Sequence, residues 1–238
     1  ALAPANDPFS LTEGRIAGAR WFADLWDRLN LPSGIHLRAI HYRLISAAEP
    51  VETPDGKAYE NTVDCWQKLG VAVRDARYAG FVSVDAFSDQ RNPEPLIFAP
   101  QGEDTEAHIG VDNPALNVNL PEITLRPPEL ELFAPDPAQR YLIELWIEKS
   151  TMADVLRPVA QRYGVNIVTG VGEMSLTACR DLIWRVKQCN KPTRILYISD
   201  YDPGGFSMPV ASARKIEFLA RQEEHLPDIE LHPIVLTA

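Results

Sequence analysis

The sequence predicts an α/β fold, a parallel sheet with flanking helices, preceded by a mainly helical region. Three observations carry that expectation. From residue 139 onward, short β-branched runs alternate with helical periodicities, the order expected of a parallel sheet covered by helices. Residues 1–90 instead repeat apolar side chains at helical spacing. Between them, nine of the chain's twenty prolines fall within residues 89–137, a texture of extended segments, a wing and a linker. The chain therefore divides into 1–90, 91–138 and 139–238.

Each element follows from local pattern. Ile16, Ala19, Phe22, Leu25, Trp26 and Leu29 give a helix from Glu13 to Leu29, stopped by Leu31-Pro32-Ser33-Gly34. Ile40, Leu44 and Ala47 stripe a second helix over 35–47. After the turn at Thr53-Pro54-Asp55-Gly56, residues 61–69 and 72–78 read as two further helices, and Gly80 ends the set. Residues 81–87 alternate with period two and read as a strand. Short helices followed by a β segment are the order of a winged-helix module. In the C-terminal region, strands are expected at 142–147, 165–169, 194–199 and 229–236, and helices at 151–163, 175–189 and 206–223.

Composition excludes several classes. The 238 residues are 45% hydrophobic and 24% charged, as in an ordinary globular chain. No apolar run reaches the roughly 18–20 residues of a membrane span, so no membrane partner is expected. Three scattered cysteines, Cys65, Cys179 and Cys189, give neither a disulfide framework nor a zinc motif. They fit a reducing, cytoplasmic setting, and the first ten residues lack a secretory signal pattern. With 23 basic against 33 acidic residues, the net charge of −10 opposes non-specific nucleic-acid binding. A nucleic-acid role then requires a local basic surface or a metal that offsets acidic groups.

Three carboxylates fall where a parallel sheet places its sites, after the carboxyl ends of strands. Glu148 follows the strand ending at Ile147, and Asp200 and Asp202 follow the strand ending at Ser199. Asp200-Tyr201-Asp202 has the alternate spacing that turns both side chains to one side of an extended tip. Pro203-Gly204-Gly205 then allows a sharp entry into a helix. Hard carboxylate oxygens suit Mg²⁺, with Mn²⁺ as its substitute, and such an ion offsets the charge developing on a phosphodiester. The competing reading is that acidic residues after strands only cap the next helix.

In this order Glu148-Lys149, Thr169-Gly170-Val171-Gly172 with Arg180, and Asp200-Tyr201-Asp202-Pro203-Gly204-Gly205 resemble the Toprim domain, the metal-binding fold of topoisomerases, primases and some nucleases. The nearest likeness is to the A subunit of topoisomerase VI and the related meiotic double-strand-break transesterase. That resemblance implies Glu148 as ligand or general acid/base, Lys149 beside it, and Asp200 and Asp202 as Mg²⁺ ligands. In that family a winged-helix domain carries the nucleophilic tyrosine in an Arg, acidic residue, any residue, Tyr-Tyr motif. Here Arg38 and Tyr42 match its ends, four apart on one helical face, while Ala39 and His41 depart from it. Tyr59, Asn61, Arg77, Gly80 and Asp85 are similar to the rest of that domain.

The resemblance implies Mg²⁺-dependent breakage of DNA by Tyr42 transesterification, giving a phosphotyrosine and a free hydroxyl. It also implies a homodimer that completes the site across subunits. The alternatives are a hydrolytic Toprim nuclease without a covalent intermediate, as in the SMC-type plasmid-defence complexes, and a non-catalytic DNA-binding or assembly subunit. Arg38 is then a catalytic residue beside Tyr42, and Arg43, Arg74, Arg77 and Arg180 are the candidate DNA contacts, with Arg38 also within reach of phosphate, although Asp64 and Asp75 dilute that surface. No GxxxxGK[ST] motif is present, so strand passage requires an ATPase or other protein partner.

Overall fold

The computed structural model describes residues 7–88, 93–99, 108–112, 129–133, 139–170 and 172–235. Residues 1–99 together with 141–238 form one compact unit, and residues 100–140 form a second.

In the first unit, α1 (Glu13–Arg28) starts at Thr12, whose hydroxyl accepts from the Arg15 amide, and buries Ala19, Phe22 and Leu25. The second helix, α2 (Leu37–Ile45), is capped by the His36 side chain and buries Ile40, His41 and Leu44. A third, α3 (Val63–Tyr78), is capped by Thr62 and buries Leu69, Ala72, Val73 and Ala76 against α1. The two helices expected over 61–69 and 72–78 are therefore one. Gly70 does not break it, because the loss of about 1 kcal/mol for an internal glycine is outweighed by the apolar stripe on either side. Asp75, fully buried on α3, is held to α1 by both Arg15 Nε (2.9 Å) and Nη2 (2.6 Å).

The strand expected over 81–87 is a correction. Gly80 turns the chain at φ +72° and a 3₁₀ turn occupies Val84–Ala86. Its side chains explain the difference. Ser83 accepts from the Asp85 amide, Arg77 donates to the Val84 carbonyl at 2.7 Å, and only Phe87 makes a bridge, to Ile35. Val82, Ala86 and Phe87 are buried, so the period-two apolar pattern reflects a packed turn rather than a ladder.

The second unit contains β1 (His108–Asp112) and β2 (Glu129–Phe133), paired antiparallel with Ile109 opposite Leu132. The rest of the expected proline-rich connection over 91–138 lies outside the described residues, except residues 93–99. Those residues belong to the first unit and strap its sheet. The Leu96 amide and carbonyl both bond Ile167 (2.8 and 2.9 Å).

The sheet comprises β3 (Leu142–Ile147), β4 (Asn166–Thr169), β5 (Thr193–Ser199) and β6 (Ile229–Val235) in the order β4-β3-β5-β6, all parallel. Between them run α4 (Ala153–Tyr163), α5 (Leu176–Cys189) and α6 (Pro203–Ala220). Period two sorts the side chains by face. Leu142, Trp146, Ile195 and Tyr197 pack with α5 and α6, while Leu145, Ile147 and Ile167 pack with Ala160 of α4. This sheet and its helices establish the α/β class. Among the described residues no helix is long and apolar enough to cross a membrane.

Strand order locates the crevice. The connection after β3 leads to β4 on one side, and the connection after β5 leads to β6 on the other. Adjacent parallel strands whose connections part in opposite directions leave an opening at their carboxyl ends, where ligands of open α/β sheets bind.

Candidate active site

Glu148 leaves β3 at that opening, its amide bonded to the Ile198 carbonyl at 3.1 Å, and Asp200 leaves β5 beside it. The Asp200 amide donates to Glu148 Oε2 at 3.3 Å, which joins the two strand ends directly. Asp202 is the N-cap of α6, its Oδ1 accepting from the Gly205 amide at 2.6 Å. The capping role is thus real for Asp202, and it uses one oxygen of the pair. Ser199 closes the turn from inside, donating to the Gly205 carbonyl at 2.8 Å.

The close approach of Gly205 to β5 shapes this loop. A Cβ on Gly205 would stand 2.0 Å from the Asp200 carbonyl oxygen, whereas one on Gly204 would meet only the ends of Asp202 and Met208, at 3.2 and 3.7 Å. Gly205 is therefore required by contact with backbone, and it lets Asp200 and Asp202 share the short turn.

Lys149 reaches across to Asp200 and forms an ion pair through Oδ2. The hydrogen bond and charge of Asp200, with the fields of Glu148 and Asp202, hold the Lys149 ammonium above the ordinary lysine range. One cation thus senses all three carboxylates.

The neighbouring loop is anchored from two sides. The Gly170 amide bonds the Ile147 carbonyl at 2.9 Å, and Gly172 adopts φ +84°. From α6, the largely buried Lys215 donates to the Met174 carbonyl at 2.6 Å and pairs with Glu173. Lys215 carries no sequence signal for this role, since it sits more than a whole helical turn past the motif residues.

The donor set suits a hard divalent cation in chemistry. Each of Glu148, Asp200 and Asp202 commits one oxygen within the site, and its other oxygen has no hydrogen-bond partner among the described residues. In this conformation, though, no group of three His, Cys, Asp or Glu side chains among the described residues is close enough to hold a metal ion. Lys149 on Asp200 is the counter-charge instead.

The N-terminal candidates lie on α2 and α3. Tyr42 is 56% exposed, with Arg38 and Arg43 also exposed on the same helix. His41 beside it is buried, its Nδ1 2.7 Å from the Tyr59 hydroxyl and its Nε2 3.3 Å from Asn61 Oδ1, with Trp66 packed edge-on. Held between Tyr59 and Asn61 in this way, His41 is an anchor for α2. Among the described residues, no hydrogen bond, ion pair or ring contact joins Tyr42 to Glu148, Lys149, Asp200 or Asp202.

The remaining arginines are engaged within the protein. Arg77, expected among the DNA contacts, is 8% exposed and donates to Val84 O and, at 3.0 Å, to Thr177 Oγ1. Its guanidinium also covers the Phe87 ring. Burial between α3 and α5 removes it from any phosphate at the surface, and its role is to tie the helical region to the sheet. Arg180 pairs with Asp85 (2.6 Å) across the same junction and with its neighbour on α5, Asp181 (2.9 Å). Arg74 bonds Asp75 at 3.1 Å. Arg38 and Arg43 are the exposed basic pair near Tyr42. Compared with known proteins, the chain matches no protein-family model and no curated protein.

Proposed function

We propose that the protein breaks DNA phosphodiester bonds at a Mg²⁺-dependent, Toprim-like site formed by Glu148, Asp200 and Asp202, with Tyr42 of a winged-helix-like module as nucleophile. The observation that carries this reading is that Glu148 and Asp200 leave adjacent strand ends at the opening between β3 and β5, where the connections part, joined by the bond from the Asp200 amide to Glu148, with Asp202 two residues further on. An ion bound there supplies a Lewis acid that offsets charge on the phosphoryl oxygens. Tyr42 Oη attacks phosphorus, the P–O bond to one sugar breaks, and that sugar departs with a free hydroxyl after protonation. Glu148, beside Asp200, takes the phenol proton and returns it to the departing sugar oxygen. Arg38, one turn before Tyr42, and Arg43 contact the flanking phosphates.

DNA is the substrate in this reading. A second copy of the chain brings Tyr42 to the carboxylates, and an ATPase or other protein partner supplies strand passage and part of the grip that a net charge of −10 withholds. Among the described residues no contact joins Tyr42 to the acidic set, which favours one alternative, hydrolysis by water at the same carboxylates.

Denaturing capture of protein joined to DNA separates these readings. With Mg²⁺ the intact protein is expected to yield a covalent adduct that Tyr42→Phe abolishes and Asp200→Ala reduces by at least about 100-fold. Cutting that survives Tyr42→Phe but not Asp200→Ala establishes hydrolysis. Binding without cutting under Mg²⁺ or Mn²⁺ assigns the chain to a non-catalytic subunit.

A further inference from the structure

We infer that the protein pairs with a second copy of itself through the side of the sheet that α4 leaves uncovered, each copy laying its α4 over β5 and β6 of the other. The inference goes beyond the proposed chemistry: it concerns where two copies meet and holds whether or not the acidic turn binds a metal. Among the described residues, α5 and α6 pack on one side of the sheet and α4 is the helix that packs on the other. On the α4 side, Leu196 and Ile198 of β5 are only partly buried, and Glu230, His232 and Ile234 of β6 are exposed. Parallel sheets are found with both faces covered, so β5 and β6 form a trough whose floor lacks its cover.

The wall of that trough is apolar too. Val155, Val159 and Tyr163 follow at a spacing of four along α4 and are 65, 49 and 58% exposed. α4 runs against the strands, and a right-handed crossover from β3 to β4 turns this stripe toward β5 and β6. Pro158 and Arg162 then point away from the sheet. Two strands are about 10 Å wide, and packed helix axes lie roughly 8–10 Å apart, so the trough takes one helix.

Charge and symmetry select a second α4 as that helix. A two-fold axis parallel to α4, beside the stripe, sets Val155, Val159 and Tyr163 against the same three residues of the second copy. It also turns that copy's Pro158 and Arg162 down onto β5 and β6. The last turn of α4 and the start of β6 lie at the same end of the sheet, so each Arg162 meets the other copy's Glu230. The charges match. Asp228 and Glu230 share one cation, Arg194, at 2.9 and 3.2 Å, which leaves a negative charge there. Arg162 makes no ion pair among the described residues, and its guanidinium lies over the Tyr163 ring. The outer edge of β6 does not compete for the partner. The Thr193 amide bonds the Asp228 carbonyl, so the odd-numbered residues of β6 turn their backbone outward, and Pro233 has no amide hydrogen to offer there.

Sedimentation equilibrium of the full chain, without DNA or metal, from micromolar to submillimolar concentration tests this, and its outcome is independent of any cleavage activity. A monomer–dimer equilibrium is expected. Val159→Glu sets two carboxylates face to face at the two-fold axis and is expected to weaken the dimer at least about 30-fold. Its circular dichroism and urea midpoint are expected to match the unmodified protein, because the position is exposed in a single copy. Arg162→Glu and Glu230→Lys are each expected to weaken the dimer about 5- to 30-fold, and together to return within about 3-fold of the unmodified protein. A protein that stays monomeric throughout overturns the inference. A dimer that Val159→Glu leaves intact pairs through another face and overturns it as well. A dimer in which the double charge exchange recovers nothing overturns the two-fold arrangement.

Discussion

Glu144→Ala is expected to destabilise the protein by about 3–5 kcal/mol, read as a lowered urea midpoint. Glu144 is fully buried in β3 and its carboxylate accepts four bonds. Arg185 Nε and Nη2 donate at 2.7 and 2.8 Å, Trp146 Nε1 at 2.9 Å and Asn166 Nδ2 at 3.3 Å. Truncation leaves the Arg185 guanidinium charged inside the fold with its main partner gone, and breaking such a pair costs far more than the pair contributes. The loss propagates to the edge, because Asn166 Oδ1 also accepts from the Phe98 and Ala99 amides and so fastens the strap over β4. Replacing both charges, Glu144→Leu with Arg185→Met, is expected to recover much of the stability. Recovery stops short of complete because Trp146 and Asn166 still lack their acceptor. A single substitution within about 1 kcal/mol of the unmodified protein would remove the network as a source of stability.

Gly205→Ala is expected to cost about 3 kcal/mol and to disorder the acidic turn, while Gly204→Ala stays within about 1 kcal/mol of the unmodified protein. The two glycines are adjacent in α6 and differ in what a methyl group meets. At Gly205 it meets the Asp200 carbonyl oxygen at 2.0 Å, a backbone atom that cannot rotate aside. Relief requires α6 to lift from β5, which breaks the Ser199 bond to the Gly205 carbonyl and the Asp202 cap on the Gly205 amide. At Gly204 the methyl group meets only side-chain ends, and the helix gains propensity. The paired urea transitions check the stability difference, and Mn²⁺ titration of Gly205→Ala is expected to show weakened binding. Equal stability of the two variants would mean that the turn is looser than the contact implies.

Both predictions rest on tertiary approach, and that marks where sequence reading stops. The alternation of apolar periods sufficed for the α/β class, for the helices at 13–28 and 176–189, and for the strands at 142–147 and 193–199, because facing a core imposes periods of 3.6 and 2 on local sequence. It also placed Glu148, Asp200 and Asp202 just after strands, since that position needs only the strand's end. A local pattern could not separate a packed turn from a strand at 81–87, nor decide whether Gly70 interrupts a helix; each depends on what lies opposite. Arg77 read as a surface cation because charge alone does not reveal Thr177, a hundred residues away, as its partner.

The sequence by itself thus determined the alternating elements of the sheet region and which carboxylates end the strands. Only the tertiary structure decided the order β4-β3-β5-β6 that opens a crevice between Glu148 and Asp200, the hold of Lys149 on Asp200, and the burial of Glu144 with Arg185. The physical reason is that periodicity records how much of each side chain faces the interior. Strand order and charge pairing are set by contacts between residues far apart in the chain, and no local pattern encodes those.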